Sequence, residues 1–223
     1  MGLSFQQYSA KNDLMKNKIS KIIFVVSILK VIFVISLFLS FFLWSLPLLT
    51  LNSDIWEFFQ ERSGVVLNGT DVKTLNEHVI DFFFNNATLN FLNVNESGHM
   101  QDVRNMLIVV NGLALFSFVL VISNFVYLSK KDKRFLIYAV RKISLIVFCI
   151  TFIFSIIMLT NFYSVFTYFH ELVFVKNFAF PSSSLLKILY PDDFFYQVGS
   201  FYVLSILIVS LAVAVIAHRL KLK

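Results

Sequence analysis

The chain has 223 residues but only one cysteine, three prolines and six glycines, and just 14% of its residues are charged. A single cysteine excludes a disulfide framework within the chain and a thiolate metal site. Cys149 lies inside an apolar run and is read as a small buried residue. No lipobox-like run near the N-terminus leads into it, so the chain is not expected to be a lipoprotein itself. The shortage of charge excludes an ordinary soluble domain, where about a quarter of residues carry charge. Glycine and proline are too few for a collagenous or linker-rich chain.

Apolar residues fill the space that charge leaves. They make up 58% of the chain, 28 of them are phenylalanine, and the mean hydropathy is +0.78. A bilayer-spanning helix needs about 20 apolar residues, and four runs qualify: 22–49, 106–128, 143–169 and 198–217. The expected fold is therefore an all-α integral membrane protein with four transmembrane helices. The first run is too long for a signal-peptide core and no small-residue cleavage site follows it, so it is read as retained. Its one charge, Lys30, is close enough to the basic end to snorkel there.

Charge sets the orientation. Segment 1–21 carries Lys11, Lys16, Lys18 and Lys21 against Asp13. Segment 129–142 carries Lys130, Lys131, Lys133, Arg134, Arg141 and Lys142 against Asp132. The tail, 218–223, has Arg219, Lys221 and Lys223. These three segments are assigned to the cytoplasm, which puts both termini inside. The stretch 50–102 instead holds eight acids and two bases, Arg62 and Lys73. The net charge of +6 thus sits beside the membrane, and no nucleic-acid partner is expected.

The two outer segments, 50–105 and 170–197, are too long and too apolar for simple loops. The first is expected to form an extracellular cap of mixed short elements. Asn68-Gly69-Thr70 and Asn85-Asn86 read as turns. The stretch 74–83 reads as an amphipathic helix with Leu75, Val79, Phe82 and Phe83 on one side. Val65–Leu67 reads as a strand that pairs near 89–94. The second segment, broken by Pro181 and Pro191, is expected to pack beneath the cap.

Topology gives two of the four histidines a special standing. His99 lies just before the second span and His170 just after the third, so both end at the same membrane face. Two imidazoles there allow proton transfer at a lipid–water interface, as a lipid-modifying enzyme requires. Asp102, three residues on, and Glu96, three before, are each placed to orient His99. Both also suit the start of a helix. Arg104 is an interfacial anchor or an oxyanion or phosphate contact. A helix N-terminus would favour neutral His99, and a C-terminus would favour charged His170. That difference inclines His99 to general base and His170 to general acid. His78 is read as a polar surface residue and His218 as an interfacial cation.

The motifs carry a resemblance. Glu96-Ser97-Gly98-His99-Met100-Gln101-Asp102-Val103 before the second span, and Phe169-His170 with Pro191-Asp192-Asp193-Phe194-Phe195 after the third, resemble the bacterial lipoprotein intramolecular transacylases. The chain departs from that pattern where a tryptophan is usual, at Phe178, and where an acid is usual, at Ser184. The resemblance implies a four-span enzyme of the bacterial cytoplasmic membrane with its active site at the extracellular face. Its substrate would be a diacylglyceryl-modified lipoprotein with a free N-terminal cysteine amine, held in membrane lipid. The sn-2 acyl chain would move to that amine and leave a lyso-form lipoprotein. His99 and His170 would be catalytic, with Glu96, Met100, Asp102 and Arg104 in support and no cofactor or metal. An aromatic pocket of Tyr168, Phe169, Phe174, Phe178, Phe194 and Phe195 would hold the substrate and limit hydrolysis.

Three alternatives stand beside this reading. A non-enzymatic four-span scaffold or sensor explains the topology but leaves the facing histidines unused. A membrane lipid hydrolase, metal-dependent if His99, His170 and a carboxylate bind zinc, uses the same residues for water attack. A channel is disfavoured because the polar residues of the spans, such as Asn111, Asn124, Thr151 and Asn161, form no continuous charged path.

Overall fold

The computed structural model describes residues 5–67, 71–85, 87–174 and 178–221. Its regular elements among these residues are all helices: α1 (Phe5–Leu43), α2 (Leu46–Thr50), α3 (Ser53–Arg62), α4 (Val72–Asn85), α5 (Val94–Lys131), α6 (Lys133–Val173), α7 (Leu185–Leu189) and α8 (Asp192–Lys221). Among the described residues, four helices are long and apolar enough to cross a membrane. They lie pairwise, α1 on α5 and α6 on α8. Much of their apolar surface points out of the fold, with Ile108, Phe116, Ile153, Leu159 and Ile208 all at least half exposed. Water would penalise such a surface and lipid does not.

The helices outrun the apolar runs. α5 begins twelve residues before position 106, because Asn93 and Glu96 form a capping box: the Asn93 side chain accepts from the Glu96 N–H, and the Glu96 carboxylate accepts from the Asn93 N–H. His99 is therefore inside α5, in its second turn. The basic segment 129–142 is mostly helix, interrupted only at Asp132 between α5 and α6. Lys30 does more than snorkel: its ammonium is 2.7 Å from the Asp132 carboxylate and over the Phe135 ring. That hydrogen bond holds the Asp132 carboxyl below the usual carboxylate range. Cys149, expected to be buried, is exposed on the outer side of α6, as apolar lipid-facing positions can be.

Helices α2, α3, α4 and α7 gather at the end of the bundle where α5 and α8 start, and we call this cluster the head. Its core joins Trp56 and Phe59 of α3, Leu75, Val79, Phe82 and Phe83 of α4, Met100 of α5, Leu186 and Leu189 of α7, and Phe194 of α8. The expected helix over 74–83 is there, buried on the predicted side. The expected strand is not. Val65–Leu67 and Leu89 form no strand, and Leu67 and Leu89 pack singly against the head core instead. The expected turn at Asn68-Gly69-Thr70 and Asn86 of the second turn lie outside the described residues, and Asn85 is the last residue of α4.

Two buried polar networks lock the head. Gln60 and Asn76, both fully buried, exchange amide hydrogen bonds. Gln60 also donates to the Leu189 carbonyl and Tyr190 donates to Asn76, which ties α3, α4 and α7 together. Burial pushes the Tyr190 phenol well up, so it stays a donor. In the second network the buried Glu96 carboxylate accepts from the Ser184 hydroxyl at 2.5 Å and the Leu186 N–H at 3.2 Å. Glu96 thus joins the start of α5 to α7. Hydrogen bonds to a buried charge are among the strong ones, so Glu96→Ala should lower stability by about 3 kcal/mol. Asp132→Asn removes only a part-exposed ion pair and should cost less than about 1 kcal/mol. Thermal unfolding of the purified protein in detergent checks both values.

Candidate active site

His99 and His170 reach the site from different helices. α5 and α6 run in opposite directions with a one-residue break between them, so the second turn of α5 and the last turn of α6 meet at the head end. The two imidazole rings are 6.3 Å apart, centre to centre, and nearly parallel, at 24°. A break in α6 at Asn161, with φ −150° and ψ 42°, separates the last turns of α6, with Phe162, Phe166 and His170, from the rest of the helix.

The rings sit among aromatics. His99 packs edge-on against Phe174 at 4.7 Å and Phe180 at 5.4 Å. His170 packs on Phe166 at 4.1 Å, and also against Phe174 and Phe178. A cavity of about 730 Å³ opens between these residues and the head, with Trp56, Phe83, Met106 and Phe162 among its walls. That volume suits a ligand of substantial size, since binding cavities of about 300–1,000 Å³ are usual.

Hydrogen bonding distinguishes the two imidazoles. His170 Nδ1 is 2.8 Å from the Phe166 carbonyl one turn back. A carbonyl only accepts, so Nδ1 carries the proton and a neutral His170 presents Nε2 as a free acceptor. His99 Nδ1 is buried with no hydrogen-bond partner, so no protein group fixes its tautomer through that nitrogen. The helix-dipole contrast expected between them is weak. Dipole effects fade within the first turn, and His99 is in the second.

The predicted supporting residues divide. Met100 is buried in the head core and lines the cavity. Glu96 does not orient His99, because its carboxylate is committed to Asn93, Ser184 and Leu186. Asp102 is exposed and makes no hydrogen bond to His99; its charge acts on the ring only through space. Arg104 stacks over Phe82 in the head and is absent from the cavity wall. Phe169, Phe174, Phe178, Phe194 and Phe195 line the cavity. Tyr168 does not; it points outward and is 68% exposed. His78 and His218 are exposed and away from the cavity.

Sequence reading missed Phe166 and Phe180, which touch the imidazoles directly, and the charged pair Lys187 and Asp192 in the cavity wall. Phe166 had a signal, since it precedes His170 by four residues in a helix. No cluster of three or more metal-ligating side chains exists among the described residues.

The likeness to known proteins follows this geometry. In meso structures of the membrane integral lipoprotein intramolecular transacylase Lit from Bacillus cereus share the fold. One superposes with a TM-score of 0.73 at 17% identity, covering 88% of this chain and 94% of that chain. A form with a histidine-to-arginine substitution gives 0.71 at 16% identity, covering 92% and 96%. One with a histidine-to-alanine substitution gives 0.68 at 16%, covering 92% and 97%. No curated protein matches by sequence. The sequence model of one family, described as "Lipoprotein intramolecular transacylase Lit", matches residues 18–195.

Because Asp102 lacks a hydrogen bond to His99, Asp102→Asn should change turnover by no more than about threefold, the scale of an exposed charge effect. Steady-state assay of the purified variant checks it; a loss of a hundredfold would restore Asp102 to an orienting role. From the match over most of its length, the chain belongs to the lipoprotein intramolecular transacylase Lit family.

Proposed function

We propose that this protein moves the sn-2 acyl chain of a diacylglyceryl-modified lipoprotein onto the α-amine of that lipoprotein's N-terminal cysteine. The observation that carries the reading is the pair of imidazoles 6.3 Å apart in an aromatic cavity that adjoins membrane-length helices.

The chemistry needs what the site contains. The α-ammonium must lose a proton before the amine can attack the ester carbonyl. The tetrahedral adduct then loses a second proton from nitrogen, and the departing glyceryl oxygen gains one. In all, one ester bond breaks, one amide bond forms and one proton leaves the site. One imidazole accepts from nitrogen and the other protonates the leaving oxygen. His170, with Nδ1 bound to the Phe166 carbonyl, turns a fixed Nε2 to this work. No acyl-enzyme is needed, because donor and acceptor belong to one molecule. The cavity's main contribution is then to fold the substrate until amine and ester meet. Its aromatic walls keep water away from the ester, and that favours transfer over hydrolysis.

Orientation follows from charge. We place both termini and the basic stretch around Asp132 in the cytoplasm, and the head, with the histidine pair, at the outer face of a bacterial cytoplasmic membrane. Lipoproteins carry their acylated cysteine at that face.

His99→Ala and His170→Ala should each lower acyl migration by about 10²–10⁴-fold, the usual contribution of general acid–base groups, in protein that remains folded and inserted. His78→Ala should retain most activity. Fragment spectra of the N-terminal peptide of a lipoprotein produced with each variant give the readout. A fully active His99 or His170 variant would contradict the paired-imidazole mechanism, and loss of one acyl mass with the intact protein would indicate a hydrolase.

A further inference from the structure

The cavity wall contains a charged pair that the acyl-transfer chemistry above leaves unused. Lys187, in α7, donates to the Asp192 carboxylate. Both line the cavity, both side chains are one-third exposed, and they are the only formally charged side chains among its described lining residues. His170 lines the same cavity.

The two partners are held differently. Asp192 is the first residue of α8, on backbone fixed by Pro191, where a helix N-terminus welcomes a carboxylate. Lys187 reaches it on a flexible four-carbon stem. A part-exposed lysine–carboxylate pair is weak, so another ammonium can displace Lys187 at small cost. The substrate proposed above brings an ammonium into a cavity whose remaining walls are mostly aromatic and aliphatic. An unpaired cation is costly there, and the free α-ammonium is the group that must reach an imidazole.

We infer that Asp192 is the docking point for the substrate's α-ammonium, beside His170, and that Lys187 occupies it as a stand-in when no substrate is bound. This inference rests on the transacylase reading above. Asp192 acts as a positioning residue that reads charge. It holds the ammonium next to His170, and it loses its grip when the nitrogen gives up its proton and the amine turns to attack. The product nitrogen is an uncharged amide, so Lys187 reclaims Asp192 and the product is released. The same site rejects lipoproteins whose amine is already acylated.

Binding can be separated from transfer with dialkylglyceryl-cysteine peptides, whose ether-linked chains cannot migrate. One peptide carries a free α-amine and its counterpart is N-acetylated. Binding of each to the purified full-length protein in lipid nanodiscs is measured directly. The protein should prefer the free amine by about tenfold or more, as expected for one charge-assisted contact. Asp192→Asn should erase that preference without weakening binding of the N-acetylated peptide, and Asp192→Glu should restore it in part. Lys187→Met should strengthen the preference by removing the competing ammonium. Equal weakening of both peptides in Asp192→Asn, with no change of preference in Lys187→Met, would make the pair purely structural and overturn the inference. If Asp192→Asn binds neither peptide, Lys187→Met decides alone: an increased preference supports the site and an unchanged one overturns it. Equal binding of both peptides by the unaltered protein would sink the ammonium site alone. Binding of neither would sink the transacylase reading as well.

Discussion

The arrangement of this site depends on one buried carboxylate. Glu96 has almost no exposure, yet it accepts hydrogen bonds from the Asn93 N–H, the Ser184 hydroxyl and the Leu186 N–H. Those donors come from the start of α5 and from the first residues of α7 with its cap, which are far apart in sequence. A buried charge left without donors would be strongly unfavourable, so the two segments must meet at this point. Once they do, Phe180 is against His99 and Lys187 reaches Asp192. Ser184 stands where the family pattern usually has an acid, and here its hydroxyl both caps α7 and donates to Glu96.

The site combines an apolar interior with a few polar groups of fixed direction. Aromatic rings surround both imidazoles. Within that setting the Phe166 carbonyl sets the tautomer of His170, and the Lys187–Asp192 pair supplies the wall's only formal charges among the described lining residues. Such a cavity suits a substrate that is mostly acyl chain with one ammonium and one reacting ester.

What could be read from the sequence follows from physics that acts locally. Run length and scarcity of charge disclosed four spans, and two span ends placed His99 and His170 at one face. The Asn93…Glu96 spacing is a helix start visible in the sequence, but Glu96 was attributed to His99 because its real partners, Ser184 and Leu186, are long-range. The strand expected at Val65–Leu67 failed because a three-residue apolar run is equally served by a single side chain plugging a helical core. Among 28 phenylalanines, pattern alone could not separate Phe174, which touches both imidazoles, from lipid-facing residues such as Phe116. Helices that are apolar all round show no amphipathic contrast, so Tyr168 and Phe166 looked alike although one faces out and the other stacks on His170.

The central claim is that the cavity folds one lipoprotein onto itself. A crossover experiment tests it most directly. Two synthetic diacylglyceryl-cysteine peptides, different in peptide sequence and in the isotopic label of their sn-2 chain, are mixed with the purified protein and the products are fragmented by mass spectrometry. The account predicts unchanged total masses, an acyl chain on each cysteine nitrogen, and each label retained on its own peptide. Labels exchanged between the two peptides would contradict it, because that result requires an acyl-enzyme or a second lipoprotein as donor.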